Sequence, residues 1–309
     1  MEIRQLRYAV LLDEHRHFGK AARAAYITQP AFSQQIAALE RALGVALFER
    51  SPSGTIPTAA GETFLEHARG LLSGLRVLEE DMRSIAEGNE GVLRVGMFGA
   101  GAGEITPLLI DAYRSMFPRV EMAFHELSMT RQFDELRNGI VDVAIVHPLC
   151  ESDDIDFDVL FTEPRFAAVS VRNEIADAPS VAVKDLVGLP FVLAGTGTPG
   201  PWRSFWAYGE SSAATRRAKA EMQSIAEGLS AVAYLDVVDT VPATVTRYHR
   251  HPGVAFVPVE DATYSSVAVA RRANETRPLV QAFCQVADRV AHEHHAVVPG
   301  AVRPGMPGP

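Results

Sequence analysis

The stretch that most constrains this chain runs from residue 19 to residue 43 and reads GKAARAAYITQPAFSQQIAALERAL. Its alanine-rich start, Lys20 to Ala25, favours a short helix with little side-chain bulk, so a second helix can cross it closely. Thr28 is placed to cap that second helix, and Pro30 falls in its first turn, where the missing N–H costs nothing. The pattern therefore predicts two helices joined by a tight turn.

The second helix of this pair has two unlike faces. Apolar residues recur at steps of four, three and four, which predicts a stripe that faces a core. The opposite face carries small, hydroxyl and amide side chains, which suit hydrogen bonding to base edges in a DNA major groove. On this stretch alone, an ordinary helical hairpin with a solvated face is the alternative. The core stripe is Phe32, Ile36, Leu39 and Leu43, and the opposite face is Pro30, Ser33, Gln34 and Ala37.

Short motifs follow this helix pair in a fixed order. They are Leu39-Glu40, Leu43-Gly44-Val45, Leu47-Phe48-Glu49-Arg50 and Thr58 with Gly61-Glu62. Over about the first 65 residues this order resembles the N-terminal domain of LysR-type transcriptional regulators. The resemblance implies a winged helix-turn-helix that binds double-stranded DNA at promoter operators. The residues it implies in DNA binding are Lys20, Thr28, Gln29, Pro30, Ala31, Ser33, Gln34, Arg50 and Ser53.

A regular apolar repeat follows from Phe64, at alternating steps of four and three. Such a strict heptad seam predicts a helix that pairs with a second copy. Thr58 can cap the start and Gly88 the end, and roughly 30 residues would make a rod of about 45 Å. A helix packed on its own chain is the alternative. The seam comprises Phe64, Ala68, Leu71, Leu75, Leu78, Met82 and Ile85, and the resemblance implies a homo-oligomer, a dimer of dimers.

Beyond residue 91 the pattern alternates between strands and helices. Strands are predicted at 93–98, 120–126, 141–147, 157–162, 166–170, 190–195, 254–258 and 265–270, and helices at 105–116, 130–138, 224–234 and 277–293. The β-α-β-α-β start predicts a parallel sheet with helices on its faces. The order resembles the effector-binding region of the same family, two α/β lobes of periplasmic-binding-protein type, with chain crossings near 163–165 and 262–265.

These patterns divide the chain into successive parts. We expect a winged helix-turn-helix domain at 1–58, a linker and dimerisation helix at 59–88, an effector-binding regulatory domain at 89–298 and a disordered tail at 299–309, which is rich in Pro and Gly. Within the regulatory domain, lobe I is expected at about 91–162 and 266–296 and lobe II at about 163–265.

A ligand cleft is expected where the strands of the two lobes end, since loops and helix N-termini converge there. N–H groups at the helix starts after Gly103 and Ser128 favour an anionic group, and nearby rings favour an aromatic one. The sequence thus predicts a small organic acid or an aromatic metabolite as effector; loops that merely close the fold are the alternative. The candidate residues are Phe98, Ala100, Gly101, Ser128, Met129, Thr130, His147, Thr196, Thr198, Trp202, Gln223 and Ser224.

Two rival functions share parts of this pattern. The glycine-rich loop from Gly96 to Gly103 suggests a nucleotide-cofactor-binding α/β enzyme. However, the third glycine of GxGxxG would fall on Glu104, whose negative charge would repel a pyrophosphate. A solute-binding protein of transport would share the two lobes but would have no use for the helix-turn-helix. We therefore expect a regulator and not an enzyme, with no cofactor.

Charge is distributed unevenly along the chain, which has a net charge of -9. Residues 1–58 carry seven Lys or Arg and five Asp or Glu, a balance of +2, whereas residues 89–309 carry 19 and 27. The acidic excess therefore lies away from the expected DNA surface. A balance of +2 gives weak phosphate attraction, which favours a dimer that presents two DNA-binding domains.

Several further features limit the location and the partners. Neither a run of 18 apolar residues nor a signal-peptide pattern is present, so a cytoplasmic protein without membrane contact is expected. Cys150 and Cys284 are too far apart for a CxxC motif and are expected to be buried free thiols. Because no acidic or Cys partner is spaced with the histidines at 249, 251, 292, 294 and 295, no metal site is expected. RNA polymerase is a further candidate partner.

Overall fold

The computed structural model describes residues 1–51, 54–86, 91–148, 152–208 and 218–304. Contacts divide the chain into two compact units. One is Met1–Ala86 with Asn138–Ile140, and the other is Glu87–Arg137 with Val141–Pro309. In the described ranges, no helix has both the length and the apolar character needed to cross a membrane.

The first unit is a winged helix-turn-helix followed by a long helix. Its elements are α1 (Ile3–His15), α2 (Phe18–Ala24), α3 (Gln29–Leu43), β1 (Phe48–Ser51), β2 (Gly54–Pro57) and α4 (Ala59–Ala86). The two strands pair antiparallel and form the wing. The predicted helix pair, wing and linker helix are thereby confirmed.

The core of this unit contains most of the apolar stripe predicted on α3. Phe32, Ile36 and Leu39 are buried, and they belong to one cluster with residues of α1, α2 and α4. The prediction was wrong for Leu43, which is 38% exposed. It is the last residue of α3, and Gly44, with a φ of +73°, ends the helix immediately after it.

Side chains at both ends of α3 bind backbone groups. At the start, the hydroxyl of Thr28 accepts a hydrogen bond from the N–H of Ala31 at 3.4 Å, which confirms the predicted cap. Near the end, Oε1 of Glu40 accepts from the N–H groups of Leu47 and Phe48 at 2.8 and 3.1 Å. Glu40 therefore fixes the angle at which the chain leaves α3 and enters the wing.

The start of α4 is joined tightly to the same segment. The hydroxyl of Thr58 donates to the carbonyl of Ala46 at 2.7 Å and accepts from the N–H of Gly61 at 3.0 Å, as the predicted helix cap requires. A Cβ atom on Gly61 would lie 2.0 Å from the carbonyl oxygen of Leu47 and 3.1 Å from Cβ of Pro57. Only glycine fits at position 61, where α4 crosses the chain at Leu47.

The predicted seam on α4 is divided between two environments. Phe64 packs against the core of the unit, and Ala68 is buried. Further along, Leu71, Leu78 and Met82 are each more than half exposed. The exposed part of the seam thus begins near Leu71 and not at Phe64, since the chain's own core uses the first positions. Of the remaining seam residues, Leu75 is half-buried, and the side chain of Ile85 lies outside the described residues.

Lobe I of the second unit is built on a five-stranded sheet. Its strands are β3 (Val92–Met97), β4 (Glu121–Glu126), β5 (Val143–Val146), β6 (Ile155–Glu163) and β12 (Ser265–Arg272), and its helices are α5 (Ile105–Met116), α6 (Gln132–Arg137) and α11 (Pro278–His294). The strand order is β4-β3-β5-β12-β6. β3 is parallel to β4 and β5, as predicted, but β12 is antiparallel to β5 and β6 because it enters from the other lobe.

Lobe II has an antiparallel sheet, a parallel strand pair and short helices. Its strands are β7 (Arg165–Ser170), β8 (Phe191–Ala194), β9 (Ala218–Met222), β10 (Asp239–Pro242) and β11 (Val254–Pro258), and its helices are α7 (Val183–Leu186), α8 (Gly200–Trp206), α9 (Ile225–Leu235) and α10 (Ala243–Tyr248). β7 pairs with β10 and β11, and β8 pairs with β9. The sequence predicted β7, β8, β11 and α9 but not β9, β10, α7, α8 and α10.

The chain crosses between the lobes where the sequence predicted. One crossing is at Pro164, between β6 and β7, and the other lies at residues 259–264, between β11 and β12. The prediction of a disordered tail from Pro299 was wrong for its first part. Val302 exchanges two backbone hydrogen bonds of 2.9 Å with Thr162 of β6, and Val298 before it is buried. Residues 305–309 lie outside the described residues.

A glycine-rich loop between β3 and α5 carries the closest contact between the lobes. A Cβ atom on Gly99 would lie 2.7 Å from Cδ1 of Ile225, and one on Gly103 would lie 2.6 Å from Cγ2 of Thr244. Both glycines have a φ of +57°, which other residues rarely adopt. Lobe II therefore packs directly on the backbone of this loop.

Polar contacts hold the same two segments together. Nε and Nη2 of Arg247 in α10 donate to the two carboxylate oxygens of Glu104 at 2.6 and 2.9 Å. The backbone N–H and the hydroxyl of Thr244 both donate to Glu163 at 2.7 Å, and burial raises the pKa of Glu163 to about 7. Glu104, which interrupts the dinucleotide-binding pattern, thus pairs with an arginine of the other lobe.

Two glycines in α4 should respond oppositely to substitution by alanine. Gly61→Ala should lower the free energy of unfolding by about 3 kcal/mol, because its Cβ would overlap the Leu47 carbonyl. Gly74→Ala, with nothing within 4 Å of its Cβ, should raise it by up to about 1 kcal/mol. Urea denaturation of the full chain, followed by circular dichroism, measures both. Equal effects would contradict the close crossing.

A second pair of substitutions tests the contact between the lobes. Gly103→Ala should cost about 2 kcal/mol, part of it from the left-handed backbone and part from the overlap with Thr244. Adding Thr244→Ser removes the methyl group that overlaps but keeps the hydroxyl bound to Glu163. The double variant should therefore be more stable than the sum of the two single changes predicts. Strict additivity in denaturation experiments would argue against direct packing.

Candidate functional site

The exposed face of α3 carries the predicted DNA-contacting side chains. Those of Thr28, Gln29, Pro30, Ala31 and Gln34 are exposed, Ser33 is half-buried, and Lys20 is exposed on α2. Because Thr28 begins α3 and Pro30 lies in its first turn, these groups cluster around one helix end. The backbone of Arg50 lies in β1, but its side chain and all of Ser53 lie outside the described residues.

One exposed residue on this surface was not selected from the sequence. Tyr26 lies in the turn between α2 and α3, has a φ of +55° and is 96% exposed. Its hydroxyl can donate to a phosphate oxygen. A fully exposed aromatic ring in a tight turn is a signal that the sequence contains, but only the structure shows its exposure.

A cavity of about 440 Å³, partly open to solvent, lies between the two lobes. Lobe I contributes the glycine-rich loop and the residues that follow β4 and β5. Lobe II contributes α8, the end of β9, the start of α9 and the segment from β10 to α10. The lining residues are Phe98, Gly99, Ala100, Gly101, Met129, His147, Trp202, Trp206, Met222, Ile225, Asp239, Thr240, Val241, Pro242, Thr244 and Val245.

Half of the predicted effector residues line this cavity. They are Phe98, Ala100, Gly101, Met129, His147 and Trp202, whereas Ser128, Thr130, Thr196, Thr198, Gln223 and Ser224 are not among the lining residues. Thr196 donates to Glu221 at 3.2 Å, and Ser224 caps α9 by accepting from the N–H of Glu227. The hydroxyls of Ser128 and Thr130 lie 3.2 Å apart and bond to each other. Thr198 is buried, and the side chain of Gln223 packs against Gly195.

Four rings form an aromatic box at the cavity. The ring centroid of Trp202 lies 5.7 Å from those of Phe98 and Trp206, and the His147 ring lies 5.5 Å from Trp206 and 6.3 Å from Phe98. Three of these four pairs are edge-to-face, which aromatic quadrupoles favour. Trp206 follows Trp202 by one helical turn of α8, so a predicted helix there would have placed both on one face.

His147 is held as a neutral ring. Its Nδ1 lies 2.9 Å from the carbonyl oxygen of Ser266, and since a carbonyl only accepts, Nδ1 carries the hydrogen. Nε2 is then an acceptor. Burial lowers the pKa of His147 to about 4, so the ring is uncharged near neutral pH.

Asp239, which opens β10, is a cavity residue that the sequence did not predict. It is 3% exposed and lines the cavity, and its Oδ1 accepts from the N–H of Thr240 at 2.8 Å. Burial raises its pKa to about 7. The segment Val232–Pro242 does contain this carboxylate, but nothing in the sequence distinguishes it from exposed Asp236.

The N–H groups expected to hold an anionic effector are used within the protein. At the start of α5, the N–H groups of Ile105 and Thr106 donate to the carbonyls of Ala102 and Gly103 at 3.2 and 3.0 Å. After Ser128, the N–H of Arg131 donates to the Ser128 carbonyl at 3.2 Å. The structure therefore gives no support to the predicted carboxylate site at these helix starts.

The described residues offer neither a candidate metal site nor an exposed thiol. Among the residues described there, no group of three or more His, Cys, Asp or Glu side chains is placed to hold a metal ion. Cys284 is buried and free, and burial raises the pKa of its thiol. Cys150 lies outside the described residues.

Two family models match this chain. Residues 3–62 match the bacterial regulatory helix-turn-helix protein, lysR family, and residues 86–291 match the LysR substrate binding domain. Structures of CbnR, a LysR family transcriptional regulator, alone and with its target DNA, cover 94% of this chain and 99% of theirs. Their TM-scores are 0.70 and 0.68 at 24% and 23% identity, which shows a shared fold.

Curated relatives match part of the chain. The transcriptional regulator AlsR of Bacillus subtilis is 35% identical over 192 residues, and the match covers 62% of this chain and 64% of AlsR, less than two thirds of its length. The regulator TfdT of Cupriavidus pinatubonensis is 32% identical over 193 residues, 62% of this chain and 85% of TfdT. With both family models matched in order, the chain belongs to the LysR family of bacterial helix-turn-helix proteins.

Proposed function

We propose that this protein is a DNA-binding transcriptional regulator whose DNA binding responds to a small molecule in the cavity between the lobes. The observation that carries the proposal is the exposed, uncharged face of α3, rich in amide and hydroxyl groups, at the start of a capped helix. The names of AlsR, TfdT and CbnR as transcriptional regulators support it. The DNA complex of CbnR supports double-stranded DNA as the partner.

On DNA, we assign different roles to the residues of this face. Gln29, Ser33 and Gln34 read base edges, while Pro30 and Ala31 touch thymine methyl groups. Lys20, Arg50, Thr28 and Ser53 bind the phosphate backbone, which positions the helix without reading sequence. Tyr26 is added to the phosphate-binding residues because its side chain, in the turn before α3, is 96% exposed.

The active species is a homo-oligomer joined through α4, arranged as a dimer of dimers. Leu71, Leu78 and Met82 expose apolar surface along one side of this helix, and a second copy would cover it. Two DNA-binding domains per dimer match a near-palindromic operator and compensate for the weak charge of each. RNA polymerase is a further candidate partner, and the cytoplasm is the expected location.

The enzyme alternative has no observation in its favour. The glycine-rich loop, whose sequence suggested a dinucleotide site, packs against lobe II at Gly99 and Gly103. It is followed by Glu104, whose carboxylate pairs with Arg247.

Base reading by α3 can be separated from phosphate binding. Gln29→Ala should cost about 1–3 kcal/mol of binding free energy at a specific site and much less on random DNA. Lys20→Ala should weaken binding to both by similar factors and reduce the salt dependence. Operator DNA, recovered by sequencing the fragments that the protein retains, and a random duplex of equal length serve in gel retardation. Equal losses for Gln29→Ala on both would refute base reading there.

Oligomerisation through α4 makes its own prediction. Leu78→Asp would place a charge in the seam, so sedimentation should show a smaller species and weaker operator binding. Glu79→Gln, one residue off the seam and also a change of one charge unit, should leave the oligomer intact. An unchanged sedimentation coefficient for Leu78→Asp would exclude this interface.

A further inference from the structure

Among the described residues that line the cavity, one has a carboxylate and none has a positive charge. Among the lining residues, Asp239 has the one carboxylate, and neither Lys nor Arg is present. Arg165, in the neighbouring strand β7, has its guanidinium between the rings of Phe205 and Tyr208, 4.1 and 4.3 Å from their centroids, and it donates to the carbonyl of Phe205 at 2.7 Å. Among the described residues, no cation counteracts the effect of burial on Asp239.

The other polar side chains of the wall offer acceptors. The hydroxyl hydrogens of Thr240 and Thr244 are donated to the carbonyl of Trp206 and to Glu163, so each oxygen keeps only accepting capacity. His147 presents Nε2 as an acceptor because Nδ1 carries the hydrogen. A ligand that complements this wall must therefore donate.

The two indole N–H groups do not change this balance. Nε1 of Trp202 and Nε1 of Trp206 are covered by protein atoms, and neither has an acceptor among the described residues. The cavity consequently meets the carbon atoms of these rings and not their donors. The faces of tryptophan rings attract cations, by more when the cation is removed from water.

From these observations we infer that the effector is a small organic cation, an ammonium group on a compact apolar or aromatic body. Asp239 neutralises the ammonium charge, the rings of Phe98, Trp202 and Trp206 line the space beside it, and the acceptors on the wall take its N–H groups. The inference rests on the proposed function, since it takes this cavity to be the effector site.

The chain provides its own reporter for the test. Its two tryptophans are Trp202 and Trp206, so tryptophan emission reports on this cavity alone. Benzylammonium is compared with benzyl alcohol and benzoate, and 2-phenylethylammonium with its uncharged analogue 2-phenylethanol. The titrations use the full chain at about pH 8, where a simple amine is protonated and Asp239 is mostly ionised. Each cation should bind at least tenfold more tightly than its uncharged analogue, and benzoate least of all.

Variants connect that preference to Asp239. Asp239→Asn keeps the acceptor for the Thr240 N–H and should weaken cation binding at least tenfold while leaving benzyl alcohol unaffected. Asp236→Asn, an exposed residue three positions earlier, is the matched control for net charge and should bind both cations normally. Trp206→Leu should also weaken cation binding about tenfold, as calorimetry measures. Far-ultraviolet circular dichroism verifies that each variant is folded.

Three outcomes would overturn the inference: tighter binding of benzoate, cation binding that survives Asp239→Asn, or no response to either cation. None of them decides the proposed function, which is tested separately by retention of operator DNA. If benzoate binds and alters that retention, the cavity remains the effector site but its ligand is an anion. If the cations bind as expected but never alter DNA retention, the assignment of ligand chemistry stands, and the regulatory role of the cavity fails.

Discussion

The regulatory unit depends on one close contact, the packing of lobe II on the backbone of the loop that follows β3. A side chain at Gly99 or Gly103 would collide with Ile225 or Thr244, so the lobes can approach only because the loop is made of glycine. The same approach brings Arg247 onto Glu104 and Thr244 onto buried Glu163. Packing and polar contacts are made by the same few residues, so they must form or separate together.

In the DNA-binding unit, different residues hold the fold and face the solvent. Glu40, Thr58 and Gly61 fix the junctions between α3, the wing and α4 through backbone contacts. None of these three residues belongs to the outer face of α3, where side chains such as Gln29 and Gln34 are exposed. Substitutions on that face should therefore cost little stability, whereas substitutions at the junctions should cost more.

The sequence predicted the parts of this fold that have a strong period or a strong boundary. Helix α5 was predicted from residue 105 to residue 116, as observed, because an apolar-rich run lies between a glycine-rich loop and Pro118. Strand β10 was missed because it begins with polar Asp239 and Thr240, and helix α10 was missed because six residues show no helical period. The sequence also missed part of the cavity wall, because Asp239 lies in β10 and Trp206 lies in α8, another short element. The prediction of anion binding at the helix starts finds no support for a different reason. The hydrogen bonds that occupy N–H groups there cannot be read from the sequence.

The bond between Val302 and β6 has a consequence for anyone who handles this protein. β6 is an edge strand of the lobe I sheet, and its last residues lead into the crossing at Pro164. By pairing with Thr162, the tail covers part of an edge that would otherwise be open to pairing with other chains, and Gly300 lies against Pro164 itself. An affinity tag fused after residue 304 is thus attached next to the segment that pairs with β6, beside the crossing at Pro164. Purification handles belong at the other terminus of this chain or behind a long flexible spacer.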